Sequence, residues 1–290
     1  MNGLFVLFLL IYLMTLIINL LIFFLVLTDH HLHNPMYFFL GNLAFLDMSY
    51  SSVTAPRMLF DLVTKSRSIA LPACTAQVFF FLYFTSSELF LLSAMSYDRY
   101  IAICHPLHYT QIMSWRVCAY MASVVWVVGC ICSLIHTLFL PRLSFCGPTS
   151  IHNLFCDLPH LFQIACTDPF VNIIVIFIAG ASLGLGAFLL TFLPCVRIFI
   201  TILRIRSKTG KLKAFSTCTS HLTVVFIFYG SLIFIYLVPT SSNMYNVNKL
   251  FSVMYALINP LLNPLIYSLR NKDLMEALKR SFYHIKSVKG

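Results

Sequence analysis

Charge is scarce in this chain. Only 10% of its 290 residues are Asp, Glu, Lys or Arg, against roughly 25% in an ordinary soluble domain. No low-complexity segment, no internal repeat and no stretch of soluble-domain character interrupts it. The missing repeat argues against a transporter built from two related halves. The first apolar run, Leu4–Leu27, is too long for a signal-peptide core, and no small-residue cleavage site follows it. It therefore reads as a retained membrane span. Nucleophile–base pairs and metal-ligand sets at membrane depth are missing too. His136 and His221 have no ligand-type neighbour at helical spacing and read as hydrogen-bonded packing residues. His30, His31 and His33 share a short connection with no acid beyond Asp29. These absences disfavour an intramembrane enzyme.

What the chain has in abundance is apolar surface. Hydrophobic residues make up 60% of it, Phe alone contributes 28 residues, and the mean hydropathy is +0.89. No soluble fold of this size hides that much, so lipid is the expected solvent. Seven stretches have the roughly 20 apolar residues a span requires. They are Leu4–Leu27, Pro35–Val63, Cys74–Cys104, Val117–Leu138, Phe170–Leu203, Ala214–Val238 and Leu250–Leu269. Backbone polar groups in lipid must pair within their own segment, which dictates helices. The runs are too continuous for the alternation of a β-barrel. The expected fold is an all-α membrane protein, a single seven-transmembrane helix bundle over residues 1–290. A short amphipathic C-terminal helix at about 271–283 follows, because Leu274, Leu278 and Phe282 share one helical face. Such a helix lies on a membrane surface.

The net charge of +10 would suggest nucleic acid in a soluble protein. Here placement matters more, and no nucleic-acid partner is expected. Arg99 and Arg116 flank the third connection. Arg197, Arg204, Arg206, Lys208, Lys211 and Lys213 flank the fifth. Arg270, Lys272, Lys279, Arg280, Lys286 and Lys289 follow the last span. The opposite side holds only Lys65, Arg67, Arg142 and Lys249. The positive-inside rule puts the C-terminus in the cytoplasm and the N-terminus outside. Of ten cysteines, Cys74, Cys146, Cys156 and Cys166 lie in or beside outer connections. Two disulfides are expected there, and the sequence allows three pairings.

Ionisable groups at membrane depth are costly and mark function. Asp47 falls in the second span and Glu88 in the third. They could hold a Na+ ion, with Asn19, Ser93 and Asn263 as further oxygen ligands, or be neutral and hydrogen-bonded; the two readings stand level. Asp98-Arg99-Tyr100 closes the third span, either as a lock that breaks on activation or as an interface anchor. Asn259-Pro260 and Asn263-Pro264 interrupt the seventh, as a hinge or as a passive bend.

These residues form a known pattern. Asp98-Arg99-Tyr100, Asn263-Pro264-Leu265-Ile266-Tyr267, Asp47, Asn19 and Trp126 resemble the signature positions of rhodopsin-like receptors. Leu32-His33-Asn34-Pro35-Met36-Tyr37-Phe38-Phe39-Leu40 resembles the first inner loop of odorant receptors. Met95-Ser96-Tyr97 through Cys104, Lys213-Ala214-Phe215 through Leu222, Phe228-Tyr229-Gly230 and Pro260-Leu261-Leu262 through Asn271 resemble four further strings of that family. Together they cover nearly the whole chain, and they look like its class II, tetrapod-type branch.

The resemblance implies disulfides Cys74–Cys156 and Cys146–Cys166, which rules out His152 and Cys156 as a metal pair. It implies a ligand pocket lined by Phe81, Leu82, Thr85 and Ser86, by Ala179, Gly180 and Leu183, and by Tyr229, Leu232 and Tyr236, with Leu158 as a cap. This set is mostly apolar with a few hydroxyls and no charge, which suits a small volatile odorant. It implies that ligand shifts a two-state equilibrium, freeing Arg99 to meet a heterotrimeric G protein of the stimulatory, olfactory type and raising cyclic AMP. Asp98, Tyr100, Asn263, Pro264 and Tyr267 belong to that switch, and Lys211 and Lys213 flank the groove. Glu88 matches a family acid, which favours the Na+ reading; no other cofactor is implied. The implied location is the plasma membrane of sensory-neuron cilia.

Four positions depart from the family. The outer tail before Leu4 is almost absent, and no Asn-x-Ser/Thr glycosylation site occurs. Either surface delivery suffers or the natural start lies upstream. Ile18 stands where the family has Gly, which alters close packing of the first span. Pro194-Cys195 stands where the family has Ser-Tyr, and a thiol on a short side chain is a poor substitute for that hydroxyl. Weaker coupling is expected, and the rival reading is a non-signalling relic of the family.

Overall fold

Apolar segments of this length satisfy their backbones only as helices. The computed structural model describes residues 2–64, 69–145, 156, 158–163, 165–205, 207–237, 253–269 and 271–288. Its long helices are α1 (Asn2–Thr28), α2 (Pro35–Thr64), α3 (Leu71–Cys104), α5 (Trp115–Thr137), α7 (Phe170–Arg204) and α8 (Lys208–Leu237). A π-helical turn at Met254–Ile258 leads into α9 (Asn259–Leu269), completing the seventh segment. The short helices α4 (Tyr109–Ile112) and α6 (Leu158–Gln163) lie in connections, and α10 (Lys272–Val288) follows the bundle. The strand-like pairing among the described residues is one isolated bridge, Phe145 with Ala165.

The helix starts follow from local chemistry. The first amides of a helix lack intrahelical partners and are capped by side-chain oxygens. Asn34 Oδ1 accepts from Tyr37 N (3.3 Å) at the start of α2, Asp168 Oδ1 from Phe170 N (3.0 Å) at α7, and Asn271 Oδ1 from Leu274 N (3.2 Å) at α10. Proline opens α2 and stands second in α3, where its missing donor costs nothing. The described helices overlap the expected apolar runs, of which residues 238 and 250–252 lie outside the described residues. The sixth begins at Lys208 rather than Ala214, because a basic helical turn can continue into water. The surface helix runs to Val288 rather than ending near residue 283.

α3 is the central helix, packed on α2, α5 and α7, while α1 lies against α2 and α9. α1, α3, α5 and α7 are long and apolar enough to cross a membrane. Their outward faces carry large apolar side chains in the open, including Ile17, Val127, Phe177 and Leu185. Apolar surface on this scale needs an apolar solvent. At the Ile18 departure, Ile18 packs half-buried against the core. The close approach of α1 and α2 uses Gly41 instead, where an added Cβ would lie 3.3 Å from Val26. A tighter contact joins α3 and α5. A Cβ on Gly129 would overlap Ser87 Oγ outright and meet Ser87 N and Tyr83 O at 3.1 Å.

The proline-rich seventh segment shows how a broken helix is repaired. Pro260 offers no N–H to the Ala256 carbonyl, and Pro264 none to the Pro260 carbonyl. The Thr54 hydroxyl of α2 lies 3.5 Å from Ala256 O, with Tyr50 O (3.3 Å) and Ser51 O (3.4 Å) of its own helix nearer. Asn19 of α1 donates its amide to Pro260 O (3.0 Å) and to Thr15 O (2.9 Å). The break expected from the sequence, as hinge or passive bend, contains a π turn at Met254–Ile258, a common form of helix irregularity at functional sites, and the Pro260 carbonyl is taken up by a neighbouring helix.

Candidate functional site

Three layers of polar groups cross the bundle. In the middle layer Asn263 of α9 donates to Asp47 Oδ1 (3.0 Å) and Glu88 Oε1 (2.9 Å), so one amide bridges α2 and α3. All three residues are buried. Of the three supporting residues expected from the sequence, only Asn263 touches the acids. Asn19 is occupied by the Pro260 carbonyl. Ser93 faces α7, where its hydroxyl bonds Ala187 O (3.1 Å) and Thr191 Oγ1 (2.8 Å). It points away because its position on α3 lies on the α7 side, a rotation the sequence alone does not fix. Asp47 Oδ2, Asn19 Oδ1 and both polar atoms of Asn259 are buried with no hydrogen-bond partner among the described residues. Asn259 lies one helical turn from Asn263, on the same face.

The layer at the Arg99 end closes on itself. Arg99 pairs with Asp98 (2.9 Å), and Asp98 Oδ1 accepts the Tyr109 hydroxyl at 2.7 Å. Burial, and then the Asp98 charge, raise the Tyr109 phenol above its usual range, so it stays a donor. Tyr100 meets His105 (3.2 Å). Deeper in, His221 of α8 bonds Ser96 of α3 through Nε2 (2.6 Å) and Tyr267 of α9 through Nδ1 (2.9 Å). Cys195 is buried, with its Sγ 3.9 Å from Ser96 Oγ. The Tyr267 hydroxyl is therefore held by His221, a residue the sequence marked only as packing. Its place in the Lys213–Leu222 string was the available signal. Lys211 is half-buried on α8; the side chain of Lys213 lies outside the described residues.

The layer toward Cys74 holds the expected ligand set. Phe81 packs on Tyr50 (5.3 Å between centroids) and Tyr255 (6.2 Å), and Tyr255 on Phe228 (5.8 Å), beside Tyr229. Thr85 is buried, and its hydroxyl has no partner among the described residues; Ser86 is half-buried. Leu232 joins the main core, whereas Leu158 packs with Cys74, Val78 and Leu82 in a separate cluster. Ala179 and Leu183 are half-buried and Gly180 exposed, so this part of α7 is an open wall. The Tyr236 side chain lies outside the described residues. Tyr229 reaches back to α7 through Thr191 (3.2 Å), whose hydroxyl continues to Ser93.

A disulfide joins Cys74 to Cys156, with Cα atoms 5.5 Å apart. Gln77 reinforces it, donating to Val53 O (2.9 Å) and accepting from Cys156 N (3.0 Å). Cys166 is disulfide-bonded as well; its expected partner Cys146 lies outside the described residues. At the other end, α10 is clamped to the first connection. Arg280 pairs with Asp29 (2.7 Å), and the Tyr37 hydroxyl bonds Asn271 (2.7 Å) and Asp273 (3.1 Å). Burial works against charge on Asp29, but Arg280 and His31 outweigh it and hold its carboxyl down at about 2. No cluster of three or more His, Cys, Asp or Glu side chains suited to a metal occurs among the described residues.

A family model described as olfactory receptor matches residues 8–285. The human protein Olfactory receptor 1J2 is 48% identical over 278 residues, covering 96% of this chain and 89% of that protein. The mouse protein Olfactory receptor 1J1 is 48% identical over 276 residues, covering 95% and 88%. Olfactory receptor 1G1 of the gorilla is 46% identical over 279 residues, covering 96% and 89%.

Proposed function

Because this chain belongs to the olfactory receptor family, a family of receptors rather than enzymes, we propose that it binds a small volatile odorant within its helix bundle. Binding then activates a heterotrimeric G protein of the stimulatory, olfactory type and raises cyclic AMP. The observation that carries this reading is the double fastening of α8. At mid-depth Tyr229 is tied through Thr191 to Ser93; toward Arg99, His221 is tied to Ser96 and Tyr267. A ligand that disturbs the first fastening acts on the same rigid helix that carries the second. It shifts the equilibrium by its differential affinity for the two arrangements.

The pocket is bounded by Phe81, Leu82, Thr85, Ser86, Ala179, Gly180, Leu183, Tyr229, Leu232 and Tyr236, with Leu158 under the disulfide-held loop. The buried Thr85 hydroxyl is a handle for one oxygen of an otherwise apolar odorant. The Arg99 end faces the cytoplasm by the distribution of Lys and Arg, in the plasma membrane of sensory cilia. There, breaking the Asp98–Arg99 pair opens the groove beside Tyr100, Lys211 and Lys213 to the G protein. Asp47 and Glu88, positioned by the Asn263 amide, hold a Na+ ion that favours the resting arrangement.

The experiment is cyclic AMP in cells expressing the tagged chain with a trafficking helper, against a broad panel of volatiles, with surface staining in parallel. A response that vanishes in Arg99→Ala at unchanged staining supports the reading. The buried Cys195 beside Ser96 favours a second one, a receptor that reaches the membrane but couples poorly. Cys195→Tyr should then enlarge the response at equal staining. Good staining with no response to any volatile, even in Cys195→Tyr, would leave the non-signalling reading.

A further inference from the structure

A cavity of about 510 Å³ lies between α3, α5 and α7, away from the odorant set. Its wall includes Ser93, Ala94 and Tyr97 of α3, Val124 of α5, and Leu193 and Arg197 of α7. From Ser93 to the Tyr100 level it follows about 10 Å of helix. It opens outward, since Tyr120, Leu190 and Leu193 on its rim are exposed. The volume is that of a ligand site, but the access is from the surrounding lipid.

The charge at one end identifies the occupant. Arg197 lines the cavity, and exposed Arg116 stands one helical turn beyond the rim residue Tyr120. Neither arginine forms an ion pair among the described residues, and no acid lines the cavity. An apolar trough ending in the unpaired Arg197 guanidinium matches an acyl chain joined to a phosphate. A sterol or a neutral volatile would leave that charge unused.

We propose that this groove is a second, membrane-facing site that takes one acyl chain of an anionic phospholipid, with Arg197 on its headgroup. Ser93 connects the site to the rest of the bundle. It lines the groove, and its hydroxyl is the anchor of the Thr191–Tyr229 tie to α8. A chain seated there supports the tie from behind, so the lipid regulates the receptor by holding α3 against α7.

The test uses the full chain in phosphatidylcholine nanodiscs carrying a minor fraction of diazirine-acyl phosphatidylserine or, in the parallel arm, diazirine-acyl phosphatidylcholine. After irradiation, labelled peptides are mapped. The serine lipid should label α3, α5 and α7 peptides around the groove roughly fivefold more than the choline lipid, the preference one basic residue earns near an anionic surface. Arg197→Gln should level the two lipids. Val124→Trp, at an exposed rim position, should reduce labelling by both. Lys279→Gln on α10 should change neither. Equal labelling by the two lipids in the unmodified chain would overturn the proposal, as would a preference that survives Arg197→Gln or that falls equally with Lys279→Gln. No arm depends on odorant signalling, so failure here is distinct from failure of the receptor reading.

Discussion

The Asp47–Asn263–Glu88 bridge makes a quantitative prediction. Hydrogen bonds of 3.0 and 2.9 Å to a single amide nitrogen keep the two acceptor oxygens within about 6 Å of each other; two full charges at that distance repel by about 3 kcal/mol at an effective dielectric of about 20. The amide cannot neutralise them, so the pair needs a cation or a shared proton. If Na+ fills that role, its binding stabilises the folded chain, by about 2.7 kcal/mol at roughly 100 times its dissociation constant. The assay is thermal unfolding in detergent, read by a thiol-reactive fluorophore at the buried free cysteines Cys118, Cys132, Cys195 and Cys218. Exchanging Na+ for N-methylglucamine at constant ionic strength should lower the midpoint in the unmodified chain. Glu88→Gln should abolish the ion dependence, since one acid then keeps the Asn263 amide without a rival charge. Identical midpoints in the two salts would refute the cation and leave the shared proton.

Other perturbations test the frame. Gly129→Ala forces α3 from α5 and should cost about 1–3 kcal/mol, as overpacking does; adding Ser87→Ala should recover part of it in the same assay. Asn19→Ala leaves the Pro260 carbonyl without its donor and should cost about 1–3 kcal/mol. In a Pro264→Ala background, which restores the missing N–H, that cost should shrink, and an undiminished cost in this double-mutant cycle would refute the repair. The Asp29–Arg280 clamp should follow pH. Because folding lowers the Asp29 carboxyl from 3.8 to about 2, its contribution is complete above the upper value and lost as pH falls through the lower one. A spin-label distance between α10 and α1 should lengthen over that window, and at higher pH in Arg280→Gln.

Much of this was legible in the sequence, for identifiable reasons. Span length follows from membrane thickness, so uninterrupted apolar runs marked where the long helices lie, whereas the basic turn that opens α8 at Lys208 carries no apolar signal. Asp98 and Arg99 are adjacent in the chain, and their pairing needed no tertiary knowledge. Partners far apart in sequence were harder. Asn19 and Pro260 are separated by 241 residues, and nothing local in either says that one adopts the other's carbonyl. Ser93 was grouped with the acids because it shares their depth; its rotation about α3 points it to α7. His221 looked like packing because its partners, Ser96 and Tyr267, sit on other helices. The groove beneath Ser93 depends on how three helices lean on one another, which no residue pattern encodes.

The kinds of bond that hold each helix also determine which parts can move. α1 holds the seventh segment by its backbone, at the Pro260 carbonyl, through an Asn19 amide that also donates to Thr15 O. α8 is tied to its neighbours through side chains that rotate, the His221 imidazole to Ser96 and Tyr267 and the Tyr229 phenol to Thr191. Releasing α8 from these ties therefore requires a few side-chain torsions rather than any local unfolding.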